Sequence, residues 1–333
     1  MFSFEVVPGK VVTSILEASV PTLVDLVADT YLRHHDGRTV NPDSYFLRFP
    51  DRPDSRIIAL PAAVELPGAS VAGIKWIASF PANVARGLPR ASAVLILNDL
   101  DTGYPIACLE AAGISAARTG ASAAVAARAV AEHLPPSGQV GIVGAGVIAR
   151  AILRHLHLSG YPCRQVLVHD LDPASAARLV GYARDELGVT ARAAALAEVL
   201  DCQTVATATT ALAPHLDTPL RPGQLALNVS LRDFTPAVVL GAWNVLDDVD
   251  HCLKADTSPH LAEQQVGHRD FVGATIPQLL RGERKPAAGQ PVLVSPFGLG
   301  VLDLAVGHHV LEAARRQGQT VAIPDFFGET SRW

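Results

Sequence analysis

The feature that most constrains the fold is an apolar run leading into closely spaced glycines near the middle of the chain. The run QVGIV at residues 139–143 is followed by Gly144, Gly146 and Ala149, and then by an apolar-periodic helix that ends at Gly160. Strand-like runs alternate with helical stretches further on; they are QVLVHD, TVATATT, QLALNVS, WNVLDDVD and PVLVSP. This alternation predicts a doubly wound parallel sheet of the α/β class.

The glycine positions match the pattern G-x-G-x-x-A, in which each residue has a separate physical role. Gly144 permits a tight turn, Gly146 lets the backbone approach a pyrophosphate, and Ala149 lets the helix pack closely on the strand. The first helical residues, Val147 and Ile148, present N–H groups and the positive end of the helix dipole to the phosphates. The pattern predicts a Rossmann-type dinucleotide site; the alternative is a glycine-rich turn that binds nothing.

The run QVLVHD ends at Asp170, roughly 20 residues beyond the glycines, where dinucleotide-binding folds place an acid that binds ribose hydroxyls. A carboxylate there accepts hydrogen bonds from the 2′- and 3′-hydroxyls and repels a 2′-phosphate. NAD is therefore the predicted cofactor, in preference to NADP. The alternative is that Asp170 caps a turn in the LDPAS segment that follows.

Other periodic segments predict the rest of the secondary structure. Apolar spacing between Ser14 and His34 predicts an amphipathic helix divided at Pro21. Short strand-like runs between Tyr45 and Leu97 predict a mixed sheet. The Ala-rich stretch from Ser115 to Leu134 predicts a helix that ends before two prolines.

Composition narrows the classes of function. The 333 residues suffice for about two domains. The net charge is −5 and the basic residues are scattered, so neither nucleic acid nor an anionic lipid surface is a predicted partner. No run approaches the ~18 apolar residues that a membrane helix needs. The start MFSFEVVPGK differs from a secretory signal, and we expect no membrane association and a cytoplasmic location.

No metal site is predicted from the metal-binding residue types. The 4 cysteines stand far apart and lack a C-x-x-C pair. The 12 histidines include adjacent pairs, but none forms H-E-x-x-H or a similar ligand set. A small-molecule enzyme without a metal is the class of protein that remains.

The N-terminal part of the chain contains three candidate cations for substrate binding. Lys75 lies in the strand-like AGIKWIASFP, where a buried charge is costly unless it meets an anion such as a carboxylate; the alternative is a solvated edge-strand lysine. Arg118, in the Ala-rich helix, could bind a carboxylate through two N–H groups; the alternative is a surface arginine. Arg48, in SYFLRFP, faces either the interior or solvent.

These residues together resemble the ornithine cyclodeaminase/mu-crystallin family over nearly the whole chain. The matching segments are LPA near residue 60, GIKWIASFPANVARGLPRASAVLILND with TGYP, ISAARTGASAA, VGIVGAGVIAR, TVATATT and SPFGLGVLDLA. The resemblance implies an NAD-binding Rossmann domain, residues 118–304, inserted into an α+β substrate-binding and dimerisation domain, residues 1–117 with 305–333. It also implies homodimers joined through the N-terminal sheet.

The resemblance assigns roles to individual residues. Lys75 and Arg118 match the cations that bind the substrate's α-carboxylate, and the threonines and the SPFG turn match the surroundings of the nicotinamide. For catalysis and substrate binding, the predicted residues are Lys75, Asp233, Arg48, Asn83 and Arg118. For cofactor binding, they are Arg118, Thr119, Gly144, Gly146, Val147, Ile148, Asp170, Thr207, Thr209, Ser230 and Ser295.

Two departures from the family pattern indicate one branch of it. Ser44 stands where relatives usually have an arginine, with Arg48 further on. The segment NVSLRDFTP replaces a G-x-D segment, so that Asp233 is the nearest carboxylate and the predicted base that activates water.

The branch that the chain resembles oxidatively hydrolyses N-(2-amino-2-carboxyethyl)-L-glutamate to L-2,3-diaminopropionate and 2-oxoglutarate. This reaction belongs to the biosynthesis of siderophore or peptide-antibiotic precursors, and a cysteine-synthase-like enzyme is the implied pathway partner. An amino-acid substrate with several carboxylates suits the candidate cations. The alternatives are an ornithine cyclodeaminase, an alanine dehydrogenase, a ketimine reductase, or a non-catalytic, crystallin-like binding protein.

Overall fold

A computed structural model of the chain describes residues 3–329 and 331. These residues form two compact units, of which the first runs up to Arg118 and resumes at Leu299, and the second is Thr119–Gly298. The sequence places the corresponding boundaries at 117/118 and 304/305. The roles that it assigns to the two domains stay predictions.

The helices and strands have the following bounds. The strands are β1 (Phe4–Val7), β2 (Thr39–Val40), β3 (Tyr45–Phe49), β4 (Arg52–Leu66), β5 (Ala69–Ser79), β6 (Ala91–Asp99), β7 (Pro105–Glu110), β8 (Gln139–Val143), β9 (Gln165–His169), β10 (Thr190–Ala193), β11 (Thr204–Thr207), β12 (Leu225–Asn228), β13 (Trp243–Leu246), β14 (Val272–Thr275), β15 (Val292–Ser295) and β16 (Val321–Ile323). The α-helices are α1 (Gly9–Ala18), α2 (Val20–His35), α3 (Ala112–Ala131), α4 (Val147–Leu158), α5 (Pro173–Asp185), α6 (Leu196–Leu200), α7 (Pro236–Leu240), α8 (Val249–Cys252), α9 (Ser258–Val266), α10 (Ile276–Leu280) and α11 (Gly300–Arg316). A 3₁₀ helix spans Pro81–Arg86.

The first unit contains a mixed sheet in the order β16-β1-β7-β6-β5-β4-β2, with β3 paired to β4. The C-terminal helix α11 packs on β4, β5 and β6, where it covers the inner face of the sheet. A Cβ atom at Gly73 would lie 2.2 Å from the Ile96 carbonyl oxygen and 3.0 Å from Leu304 of α11. Glycine at this position therefore allows the close approach of helix and strand.

The opposite, outer face of this sheet keeps apolar side chains exposed. Successive residues of a strand face opposite sides, and on β5 the buried Lys75 alternates with the exposed Trp76. The exposed apolar side chains on β3 to β6 include Tyr45, Leu47, Trp76 and Val94.

The second unit contains a sheet in the order β10-β9-β8-β11-β12-β15-β13-β14, in which every neighbouring pair is parallel. From β8 the chain runs outward to β9 and β10 on one side and then to β11 and β12 on the other, so that the direction of winding reverses between β8 and β11. In doubly wound sheets a ligand binds at the carboxyl ends of the strands at such a reversal. The predicted fold class is thus confirmed.

Local sequence explains where several helices of this unit begin. The Asp172 carboxylate accepts hydrogen bonds from the N–H groups of Ala174 and Ser175 at the start of α5, and Pro173 follows it directly. Thr257 caps α9 in the same way, and a proline again stands in the first turn. Proline suits these positions because an N–H in the first turn has no acceptor within the helix.

Among the described residues, no single helix is long and apolar enough to span a membrane; α1 and α2 pass the same test only as a pair bent by 88°.

Candidate functional site

In the first unit, Lys75 lies at the centre of a buried ionic cluster. Strand β5 directs its side chain to the inner face of the sheet, where it is 1% exposed. The ammonium Nζ lies 2.5 Å from Asp303 Oδ2 and donates a hydrogen bond of 3.2 Å to Ser115 Oγ. The alternative of a solvated edge-strand lysine is therefore wrong.

Arg118 joins the same cluster from helix α3. Its Nε donates to Asp303 Oδ1 over 3.2 Å, and its side chain is only 12% exposed, so the surface-arginine alternative is also wrong. Asp303 was missed by the sequence analysis. The sequence does contain a signal for Asp303, because it is an acid within the apolar run GVLDLAVG at the start of α11. Burial of an unpaired carboxylate there would destabilise the fold, so a cationic partner is expected.

The charges of this cluster make it suitable for an anion. Burial lowers the pKa of Lys75, the Asp303 carboxylate raises it and the nearby Arg118 lowers it, and the net effect is a shift from 10.5 to about 8. At pH 7 the lysine is thus mostly protonated, and the two cations outnumber the one carboxylate. An excess positive charge held in a fixed place is what binding of a substrate carboxylate requires.

In the second unit, the glycine loop lies between β8 and α4. Gly144 has a φ of +88°, and a Cβ atom there would lie 2.5 Å from the Ala208 carbonyl oxygen. A Cβ atom at Gly146 would meet no atom within 4 Å. Gly144 is thus required by the turn, whereas Gly146 leaves open space at the start of α4, beside the exposed Val147. This geometry suits a bound pyrophosphate.

Asp170 lies next to this loop, directly after β9. Its Oδ2 accepts a hydrogen bond of 2.6 Å from the Ala145 N–H, and its Oδ1 accepts one of 2.8 Å from the Asp172 N–H. The carboxylate therefore sits beside the glycine loop, where a ribose-binding acid belongs. Its role in binding ribose stays a prediction.

A polar network occupies the carboxyl ends of β11, β12 and β15. It brings together five predicted residues, namely Thr207, Thr209, Ser230, Asp233 and Ser295. The Thr209 and Ser230 hydroxyls each donate to the Asp233 carboxylate, and Ser230 Oγ also lies 3.1 Å from Thr207 Oγ1. Asn228, which the sequence analysis missed, donates to Ser295 Oγ over 3.2 Å.

Asp233 itself is fully buried within this network. Its Oδ1 also lies 3.8 Å from Nδ1 of His215, a partly exposed side chain that the sequence analysis did not single out. Because hydroxyl groups occupy both carboxylate oxygens, Asp233 fixes the positions of Thr209 and Ser230. Its predicted role as the base stays a prediction.

A second buried carboxylate, Asp247, shapes the SPFG turn. It accepts hydrogen bonds from the Phe297 N–H at 3.0 Å and the Gly298 N–H at 2.7 Å, and from the Cys252 thiol at 2.8 Å. Burial raises the pKa of Cys252 well above its usual value, and Asp247 adds to this effect. Asp247 therefore holds the turn that follows Ser295, a role that the DDVD run alone did not reveal.

Two predicted substrate residues, Arg48 and Asn83, lie elsewhere in the first unit. Arg48 is exposed on β3, with its guanidinium 5.2 Å from the Phe46 ring centre. Asn83 donates its side-chain amide to the Pro89 carbonyl oxygen over 3.2 Å. Thr119 follows Arg118 on α3 and is half-buried.

The described residues contain no group of three His, Cys, Asp or Glu side chains that could hold a metal ion.

The cluster gives a stability prediction. Asp303→Asn should lower the free energy of unfolding by about 3–5 kcal/mol, because Lys75 is then buried without a counter-charge. Urea denaturation monitored by circular dichroism measures the change. Asp54→Asn, at an exposed acid on β4, is the matched control and should change stability by less than about 0.5 kcal/mol. Equal stability of the two variants would contradict the role given to Asp303.

Comparison with known proteins gives relatives along most of the chain. The chain is 29% identical to N-((2S)-2-amino-2-carboxyethyl)-L-glutamate dehydrogenase of Staphylococcus aureus over 310 residues, which are 88% of this chain and 90% of that protein. It is similar in structure to Thermococcus litoralis Delta(1)-pyrroline-2-carboxylate reductase in complex with NADH and L-proline, with a TM-score of 0.86 at 23% identity, over 96% of this chain and 100% of that one.

An archaeal alanine dehydrogenase dimer with bound NAD is similar as well, with a TM-score of 0.85 at 24% identity, over 98% of this chain and 100% of that one. At these identities the two structures show the shared fold. The model of the ornithine cyclodeaminase/mu-crystallin family matches residues 10–317. The chain therefore belongs to the ornithine cyclodeaminase/mu-crystallin family.

Proposed function

We propose that the protein is an NAD-dependent oxidoreductase that acts on the CH–NH group of an amino acid. The observation that carries the proposal is the buried cluster of Lys75, Arg118 and Asp303, whose excess positive charge suits a substrate carboxylate. The open space at Gly146 and the carboxylate of Asp170 suit NAD. Relatives of similar fold hold NADH or NAD, which supports the same cofactor here.

The proposed substrate is N-(2-amino-2-carboxyethyl)-L-glutamate. The Staphylococcus aureus relative, which matches most of the chain, is named for this substrate, and the several carboxylates suit the cations of the first unit. Bound NAD would supply the hydride acceptor for the Cα–H bond of the glutamate part, and water would then add to the resulting imine. Collapse of the adduct gives 2-oxoglutarate and L-2,3-diaminopropionate. A cysteine-synthase-like enzyme would supply the secondary amine.

The residues of this chain act mainly by orientation. The Lys75 ammonium and the Arg118 guanidinium bind the α-carboxylate and so fix the direction of the Cα–H bond. Asp303 holds both cations in place. Asp233 is the proposed base for water, with its carboxylate oriented by the Thr209 and Ser230 hydroxyls.

The first test is turnover. Purified protein with the secondary amine and NAD should form NADH and 2-oxoglutarate in equal amounts. Lys75→Ala should lower kcat/KM by about 100-fold, because charge-assisted hydrogen bonds to the carboxylate are lost, while NAD binding measured by calorimetry persists. Lys10→Ala, at an exposed lysine of α1, is the control.

Other outcomes of this test have definite meanings. Conversion of ornithine to proline without oxidation of the secondary amine would indicate a cyclodeaminase. NAD binding without turnover of any amino acid would indicate a non-catalytic binding protein.

The pKa of Lys75 gives the proposed enzyme a pH signature. Burial lowers this pKa to about 8, so the side chain is a cation below that pH and a neutral amine above it. We expect kcat/KM to fall as the pH rises through about 8, because the charge that binds the carboxylate is lost. Lys75→Arg keeps its charge at high pH and should move the fall upward. The same pH profile in both proteins would contradict this assignment.

We also propose that the protein is a homodimer joined through the outer face of the first unit's sheet. Tyr45, Ala59, Trp76 and Val94 are successive cross-strand partners on β3, β4, β5 and β6. Trp76 is 40% exposed and Val94 is 39% exposed. The same face of a second copy would cover this apolar row. The alanine dehydrogenase of similar fold is itself a dimer.

The dimer prediction concerns Trp76. Trp76→Asp places a charge within the proposed interface and should convert the dimer to a monomer in sedimentation velocity, since burying an unpaired carboxylate is costly. Val84→Asp, at an exposed residue of the 3₁₀ helix, should remain a dimer. A wild-type monomer, or a dimer that the Trp76 variant leaves intact, would contradict the proposal.

A further inference from the structure

Three arginines meet around Ser79, at the end of β5, away from the Lys75 cluster. Arg48 on β3 is the cross-strand partner of Arg56 on β4, and Arg56 is in turn the partner of Ser79 on β5. Arg90, which directly precedes β6, donates from Nη1 to Ser79 Oγ over 2.7 Å. Strand register and this hydrogen bond therefore place the three arginines in neighbouring positions of the first unit.

No carboxylate among the described residues forms an ion pair with any of these three arginines. The Nε of Arg56 is buried and has no hydrogen-bond partner within the described part of the chain. Burial lowers the pKa of Arg56, and the nearby Arg48 lowers it further. Burial likewise lowers the pKa of Arg90, with Arg56 as the second cause. Mutually repelling, partly desolvated cations cost stability, and such an arrangement is typical of a binding site for an anion.

The arginine group faces the same side of the sheet as Lys75. Leu60 opposes Lys75 and Arg56 opposes Ser79 in the register of β4 and β5. Since alternate residues of a strand share a face, Arg56, Ser79 and the opposing Arg48 all lie on the inner side with Lys75. Along β5, the backbone positions of Lys75 and Ser79 are about 13 Å apart at the usual rise of a strand.

We propose that Arg48, Arg56 and Arg90 form a second carboxylate subsite, which binds a distal carboxylate of an amino acid whose α-carboxylate lies at Lys75 and Arg118. A guanidinium can donate two parallel hydrogen bonds to a carboxylate, and a bound carboxylate would offset part of the repulsion among the three cations. The subsite makes the protein selective for amino acids with two or more carboxylates over alanine or proline. This inference rests on the proposed function for its ligand.

Binding measurements test the subsite apart from catalysis. Isothermal titration of the full-length protein without NAD uses N-(2-amino-2-carboxyethyl)-L-glutamate, glutarate and L-alanine as probes. Arg56→Gln and Arg90→Gln should each raise the Kd for the first two probes by about tenfold and leave that for alanine unchanged. Arg52→Gln, at an exposed arginine of the same strand β4, should change none of the three values.

The outcomes separate the subsite from the reaction. If wild-type protein forms no NADH but shows this pattern of affinities, the subsite stands and the proposed reaction fails. If wild-type protein oxidises the amine while both variants keep its Kd and KM, the subsite is wrong and the reaction stands. A wild-type protein that binds neither the amine nor glutarate also overturns the subsite.

Thermal unfolding distinguishes a binding role from a structural one. Without ligand, Arg56→Gln should raise the melting temperature, because the variant removes a desolvated charge that Arg48 repels. A lower melting temperature would mean that Arg56 stabilises the fold. The affinities of Arg48→Gln, which changes an exposed residue, would then decide: a tenfold loss for glutarate supports the subsite, and an unchanged Kd overturns it.

Discussion

The first unit depends on the ionic contact of one buried carboxylate with two cations. Lys75 comes from β5, Arg118 from α3 and Asp303 from α11, and the carboxylate bonds both cations. A charge left unpaired in a protein interior costs several kcal/mol, so the three elements take these positions together. The same contact sets how much positive charge remains for a ligand. If the proposed function holds, the stability of the first unit and the binding of the substrate carboxylate depend on one group of atoms.

In the second unit, the candidate functional side chains are brought together by the topology of the sheet. All its neighbouring strands are parallel, so their carboxyl ends share one edge, and the side chains that follow them become neighbours through the topology of the sheet. Asp170, Asp233 and Asp247 each lie just beyond the end of a strand or in the loop that follows one. Each accepts hydrogen bonds from N–H or hydroxyl groups of nearby loops. Carboxylates thus fix the loops of this edge.

Local patterns predicted much of this fold, and contacts between distant segments account for what was missed. The glycine motif, the alternating strands and the Ala-rich helix are short-range signals. The predicted division of a helix at Pro21 is confirmed to within two residues, since α1 ends at Ala18 and Pro21 stands in the first turn of α2, where no N–H is needed. The orientation of Lys75 required the register of β5, and its partner Asp303 is 228 residues away. The arginine group at Ser79 is set by pairing across three strands, which no local pattern reports.

The distance along the chain between Lys75 and Asp303 has a consequence for biosynthesis. A ribosome has made the whole second unit before α11 emerges, so until then Lys75 lacks its Asp303 partner and the part of the sheet that α11 covers stays open. The second unit is continuous in sequence and has its own sheet, so it can fold first. We expect the second unit to fold on the ribosome before the first unit is complete, since the strands of the first unit obtain their ionic partner only when α11 has been made.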